Sequence, residues 1–157
     1  MARIELLRPY VEKVVSEYLG IEPGKLIVND DGTIPVSVGS ANYYVRLMDG
    51  DPAVLQVYSI MLEEIQKSPE LFEALNDINR NTYYARAFWL DDNRVIVASE
   101  LVAESADKGE ITNACNAIAW LADHYDTELH GKFGGKMSRE DAPPADQGGS
   151  TEVPTDV

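Results

Sequence analysis

The chain has one cysteine, Cys115, and therefore no internal disulfide to staple it. That suits a reducing compartment, and the expected location is the cytoplasm. Cations are scarce: 13 Lys and Arg stand against 27 Asp and Glu, a net charge of −14. A field of that sign repels phosphate backbones and anionic lipid surfaces, so neither nucleic acid nor membrane is an expected partner. Long apolar runs are also missing. No stretch approaches the ~20 residues that span a bilayer, and Glu5 and Glu12 break up the opening segment, which does not read as a secretory signal.

Chemistry-bearing motifs are equally thin. The two histidines, His124 and His130, are separated by roughly 240° on a helix and share no face. His124 and Glu128, one turn apart, could at most offer two metal ligands, and a solvated pair is the plainer reading. Cys115 falls between Ile111 and Ile118 on an apolar stripe, where a thiol acts as a small hydrophobe and not as a nucleophile. The acidic turns Asn29–Gly32, Asp49–Asp51 and Asp91–Asn93 lack calcium-loop spacing and are explained by turn chemistry. The glycines and lysines near 130–137 do not form a phosphate loop, and no nucleophile elbow occurs. Carboxylates on a sheet can serve as acid and base, but none is singled out. No catalytic residue, metal or cofactor is therefore assigned.

What is present is one domain's worth of periodic sequence, long enough to bury a core. Residues 3–19 carry a helical stripe, Ile4, Leu7, Val11, Val14 and Tyr18, with Gly20 as a stop and Pro9 either starting or kinking the helix. The period then falls to two. Extended runs are expected on both sides of Asp31–Gly32; Pro35 places the second on a sheet edge. "ANYYVRLM" and "AVLQVYSIML" continue an antiparallel meander. In the first of these Tyr44, Arg46 and Met48 lie on the face opposite Tyr43, Val45 and Leu47; such residues are favoured at interfaces, but a half-buried strand is the plainer reading. Ser68, Pro69 and Glu70 announce a helix with Leu71, Leu75 and Ile78 buried. Strands follow near 83–91 and 94–102, then a helix over about 109–130. The reading is an α+β domain over 1–136: helix, three or four antiparallel strands, helix, two strands, helix. Residues 137–157, rich in Pro, Gly, Ser and Asp, are expected to form a disordered tail.

The hairpin "NTYYARAFWLDDNRVIVASEL" is the most apolar segment, and both its faces are greasy. A two-residue turn at Asp92–Asn93 would set Tyr84, Arg86 and Phe88 against Leu101, Ser99 and Val97. Alanines 85, 87 and 98 would share the other face, leaving room for a helix. One face should be sealed by the chain's own helices. The other is either covered by the third helix or free to meet another molecule. Tyr84, Arg86 and Phe88 are the candidate contacts, with a polypeptide partner or across a homodimer.

The run "LFEALNDINRNTYYARAFWLDDNRVIVASELV" resembles the YbjN-like family of bacterial proteins. The resemblance rests on Leu75, Asn76 and Asn79, the turn Asp91–Asn93, and Glu100–Leu101, and it extends over roughly residues 3–130. It implies a fold similar to type III secretion chaperones, often dimeric. It also implies a role as a sensory transduction regulator or peptide-binding chaperone, and not an enzyme. A small-ligand domain or enzyme with a pocket between sheet and helices, and a structural homodimer, are the alternatives.

Overall fold

The computed structural model describes residues 3–39 and 41–137. The order is α1 (Arg3–Leu19), β1 (Ile34–Val38), β2 (Ala41–Met48), β3 (Val54–Glu63), α2 (Pro69–Arg80), β4 (Arg86–Leu90), β5 (Arg94–Val102), α3 (Lys108–Phe133) and a short β6 (Lys136–Met137). The α+β reading therefore holds. The strands lie in the order β1-β2-β3-β5-β4, each pair antiparallel, with β6 joined to the end of β3.

The helices form where their signals place them. Ser68 caps α2 by accepting the Leu71 N–H at 3.1 Å, with Pro69 in the first turn. A reciprocal box starts α3: Asp107 accepts from Glu110 N at 2.8 Å, and the Glu110 carboxylate accepts from Asp107 N at 2.9 Å. α1 runs through Pro9, which stands exposed.

Two of the expected turns form differently. Lys25–Val28 is not a strand. Its intended turn bonds to itself instead: Asn29 N donates to Thr33 O, Gly32 N to Asn29 O, and Thr33 N to the Asp31 carboxylate. Gly32 is left-handed (φ 85°) and lies against the Arg8 guanidinium, leaving no room for a Cβ. The β4–β5 register also differs by one residue from that expected. Asn93 adopts φ 63°, so the loop holds three residues and Leu90 pairs with Arg94. Arg86 thus opposes Ala98 and Phe88 opposes Ile96, whereas Ala87 opposes Val97. Because side chains alternate, the slip changes which residues of β5 share a face with Arg86 and Phe88, and puts Ala98 opposite the helix side.

One face of the sheet is the core. Val45, Val57 and Ser99 form one row across it, Leu47, Leu55 and Leu101 a second, and Ser59, Val97 and Ala87 a third. Val11, Val14 and Val15 of α1, Leu71, Leu75 and Ile78 of α2, and Ile111, Ile118 and Leu121 of α3 join these in a single cluster. Each such side chain contributes roughly 1.5–3 kcal/mol by leaving water, more than a helix cap at about 1 kcal/mol. Packing, not capping, fixes where the helices lie. Met137, the first residue assigned to the tail, is buried and pairs with Leu62; the remainder, 138–157, lies outside the described residues.

Cys115 sits fully inside this core, and burial pushes its thiol up to about 12. It should resist a thiol-specific disulfide reagent at neutral pH while the protein is folded and react fully in denaturant; rapid labelling of the native protein would contradict that placement.

Asn79, on the last turn of α2, faces the outer edge of β4. Its Oδ1 accepts from Ala87 N at 2.7 Å and its Nδ2 donates to Ala87 O at 3.0 Å. The amide side chain does what a further strand would do. Asn79→Ala should lower stability by about 1–3 kcal/mol in urea denaturation and increase aggregation through the uncovered edge.

Candidate functional site

The second face of the sheet carries the other half of each alternation. Its rows run across the strands: Tyr44, Tyr58, Ala98 and Arg86; then Arg46, Gln56 and Glu100; then Met48, Val54 and Val102; and, on the other side of the first row, Ile60, Ile96 and Phe88. All three helices bury their apolar residues in the cluster on the opposite face. Among the described residues no helix packs on this one.

A polar ladder crosses it. Arg46 Nε donates to Gln56 Oε1 at 2.8 Å, and Gln56 Nε2 donates to Glu100 Oε1 at 2.9 Å. Arg86 closes the ladder with two bonds to Glu100, at 3.1 and 2.8 Å. Four strands are thereby linked by side chains. The Arg86–Glu100 pair is largely exposed, so it adds little stability. Its effect is positional: Glu100 holds the Arg86 guanidinium on the sheet, as Gln56 holds that of Arg46. Arg86 lies over the Phe88 ring at 4.6 Å and Arg46 over the Tyr58 ring at 4.5 Å, while Tyr58 stacks on Tyr44 at 5.3 Å. Beneath them Gln56, Ile96 and Ala98 are buried. The surface is an aromatic and aliphatic layer overlaid by two arginines, in a protein that is otherwise strongly acidic.

The expected contact residues are thus divided. Arg86 and Phe88 lie together on the open face. Tyr84 does not: it precedes β4, adopts φ 65°, is 76% exposed, and touches the Tyr83 ring. It borders a cleft toward the start of α3 with Glu100, Leu101, Glu110 and Asn113. The expectation that Tyr84 continues the strand fails because a left-handed residue ends the pleat. Gln56 was not singled out by sequence, and Glu100 entered only with the family resemblance. The two-residue turn expected there put Glu100 on the face opposite Arg86, whereas the observed register puts both on one face; Gln56 is revealed only by the strand order.

Both edges of the sheet resist a further strand. Pro35, with no N–H, sits on β1, and Asn79 covers Ala87 on β4. The edge position expected for the Pro35 strand is the one observed.

The remaining candidate residues serve local structure. His124 stacks on Trp120 at 4.7 Å, and Glu128 turns to Lys132 at 3.0 Å, so His124 and Glu128 do not act as a pair. In the acidic turns Asp31 accepts from Thr33 N, Asp51 pairs with Arg3 and Asp92 with Arg94. No group of three or more metal-ligating side chains comes together among the described residues, and no described helix is long and apolar enough to cross a membrane.

Arg86, opposed by partial burial and aided by Gln56, holds the Glu100 carboxyl below its ordinary 4.5. A carboxyl lowered on folding contributes stability that is complete above about 4.5 and is lost as pH falls through the lower folded value. Glu100→Gln should therefore flatten the acid limb of the stability–pH curve and leave its slope near neutrality unchanged. A curve with the wild-type acid slope would mean that the ladder does not form in solution.

Comparison with known proteins accords with this fold. Among solved structures, the HopA1–SchA chaperone–effector complex superposes with a TM-score of 0.62 at 9% identity, covering 81% of this chain and 98% of that one. The ExsC–ExsE complex gives 0.59 at 11% identity, covering 82% and 97%. The Yersinia pestis type III secretion chaperone SycH, in complex with a stable fragment of YscM2, gives 0.51 at 13% identity, covering 72% and 97%. At these identities the likeness is one of fold. No match to a curated protein was found. Residues 5–141, most of the chain, match the TY-Chap1 model, described as T3SS (YopN, CesT) and YbjN peptide-binding chaperone 1, and the chain belongs to that family.

Proposed function

We propose that this chain is a non-enzymatic, cytoplasmic peptide-binding module of chaperone-like or regulatory type, and that the open sheet face is its binding surface. The observation that carries the reading is the asymmetry of the sheet: one face is sealed by three helices, and the other presents Phe88 and Tyr58 beneath two arginines, with Tyr44 and Ile60 on the same face. Aromatic residues and arginine are favoured where proteins meet. A partner that lies across this face can lift the guanidinium groups from the rings and bury both. With Pro35 and Asn79 guarding the edges, capture across the face is favoured over addition of a strand. Membership of a peptide-binding chaperone family, and neighbours solved as chaperone–effector and chaperone–fragment complexes, support the same reading.

The layer between sheet and helices is filled by Tyr43, Leu55, Val57, Cys115 and Ile118, each sealed from solvent. That packing favours a surface over an internal ligand pocket.

The test is selection of short random peptides displayed on phage against the wild-type protein. Selected peptides should bind Phe88→Glu and Ile60→Glu at least about tenfold more weakly, a loss of about 1.4 kcal/mol, and bind Phe72→Glu, altered on exposed α2, as well as wild type. Equal binding to all variants would refute the assignment. Sedimentation of the same proteins addresses the homodimer. A wild-type dimer that Phe88→Glu dissociates would make this face a self-interface.

A further inference from the structure

α2 packs over β4, whereas α3 spans β2, β3 and β5. The two helices leave a cleft of about 300 Å³ between them. Its floor is apolar, made by Ala74 and Ile78 of α2 and by Tyr125, Leu129 and Phe133 of α3. Its rim is acidic, with Glu70, Glu73 and Asp77 on one side and Glu128 on the other; Lys132 is the only cation bordering it among the described residues. The spacing explains the arrangement. Residues 70, 73, 74 and 77, and likewise 125, 128, 129 and 132, recur at helical intervals of three and four, so each helix turns one continuous stripe toward the cleft.

Two of the four carboxylates are answered within their own helix: Asp77 by Arg80 at 3.2 Å and Glu128 by Lys132 at 3.0 Å. Glu70 and Glu73 form no ion pair among the described residues, although both border an apolar floor. A neutral or acidic segment laid in this trough would desolvate them without compensation. A basic one would neutralise them while covering the half-buried Ala74, Tyr125 and Phe133.

We infer that the α2–α3 groove is a second polypeptide-docking surface, whose occupant is a cationic amphipathic helix with its apolar side on the floor and Lys or Arg toward Glu70 and Glu73. A trough between two helices accepts a third in ridge-and-groove packing, which favours a helical occupant over an extended one. The groove shares no residue with the open sheet face, and the inference stands or falls separately from that reading.

The probe is a fluorescein-labelled Leu/Lys amphipathic helix of about four turns, measured by anisotropy in about 0.15 M salt. A scrambled peptide of the same composition is the control. The amphipathic peptide should bind and the scrambled one should bind much more weakly. The double variant Glu70→Gln/Glu73→Gln, which alters exposed positions only, should weaken binding about tenfold. Ala74→Trp, which fills the floor, should do the same, with folding checked by circular dichroism. Phe88→Glu should leave binding unchanged. Equal binding of the scrambled peptide would reduce the effect to net charge and overturn the inference. So would wild-type affinity in the double variant, loss of binding in Phe88→Glu, or self-association of the protein that the groove substitutions abolish, which would make a second copy the occupant.

Discussion

The whole arrangement depends on a single packing constraint: three helices and one sheet bury their apolar surface in one cluster, on one face. Val57, Val45 and Tyr43 from the sheet meet Val15, Leu71 and Ile118 from the helices there with almost no exposure. A sheet closed on one side only has a second side that must be tolerated by water. Here that is achieved by the ladder from Arg46 through Gln56 and Glu100 to Arg86, which lays charged and amide groups over rings and aliphatic side chains. Such a surface is stable when bare and still has apolar area to offer a partner.

The edges follow from the same logic. An antiparallel sheet with two free edges would pair with other chains without selection. Pro35 removes a donor at one edge, and Asn79 satisfies Ala87 at the other. Recognition is then left to faces and grooves, where side chains give specificity that backbone pairing cannot.

Much of this was legible in the sequence. The helix starts, the buried stripe of α2, the edge position of Pro35 and the inert burial of Cys115 all depend on residues close in the chain, and local chemistry decides them. The failures came where local signals leave two solutions of similar cost. Asp31–Gly32 reads as a hairpin turn, but its side chains and the Arg8 contact hold a loop. Asp91–Asn93 accepts a loop of two residues or three, and the left-handed Asn93 selects three, shifting the register by one. Alternation put Arg86 and Phe88 on one face, as observed, and put Tyr84 with them only by running past a left-handed residue that ends the pleat. Gln56 could not be found locally, because its partners lie on β2 and β5, and the pairing of Glu100 with Arg86 was hidden by the one-residue error in register. The Asn79 clamp on Ala87 spans a helix and a strand and has no periodic signature.

Backbone and methyl NMR shifts recorded while a phage-selected peptide is added would test the central claim most directly. The account predicts that the largest changes fall on Tyr44, Tyr58, Ile60, Phe88 and Ile96, with the helix-side residues Val57 and Ile118 nearly unmoved. Changes confined to the helices, or to the loop that carries Tyr84, would contradict it.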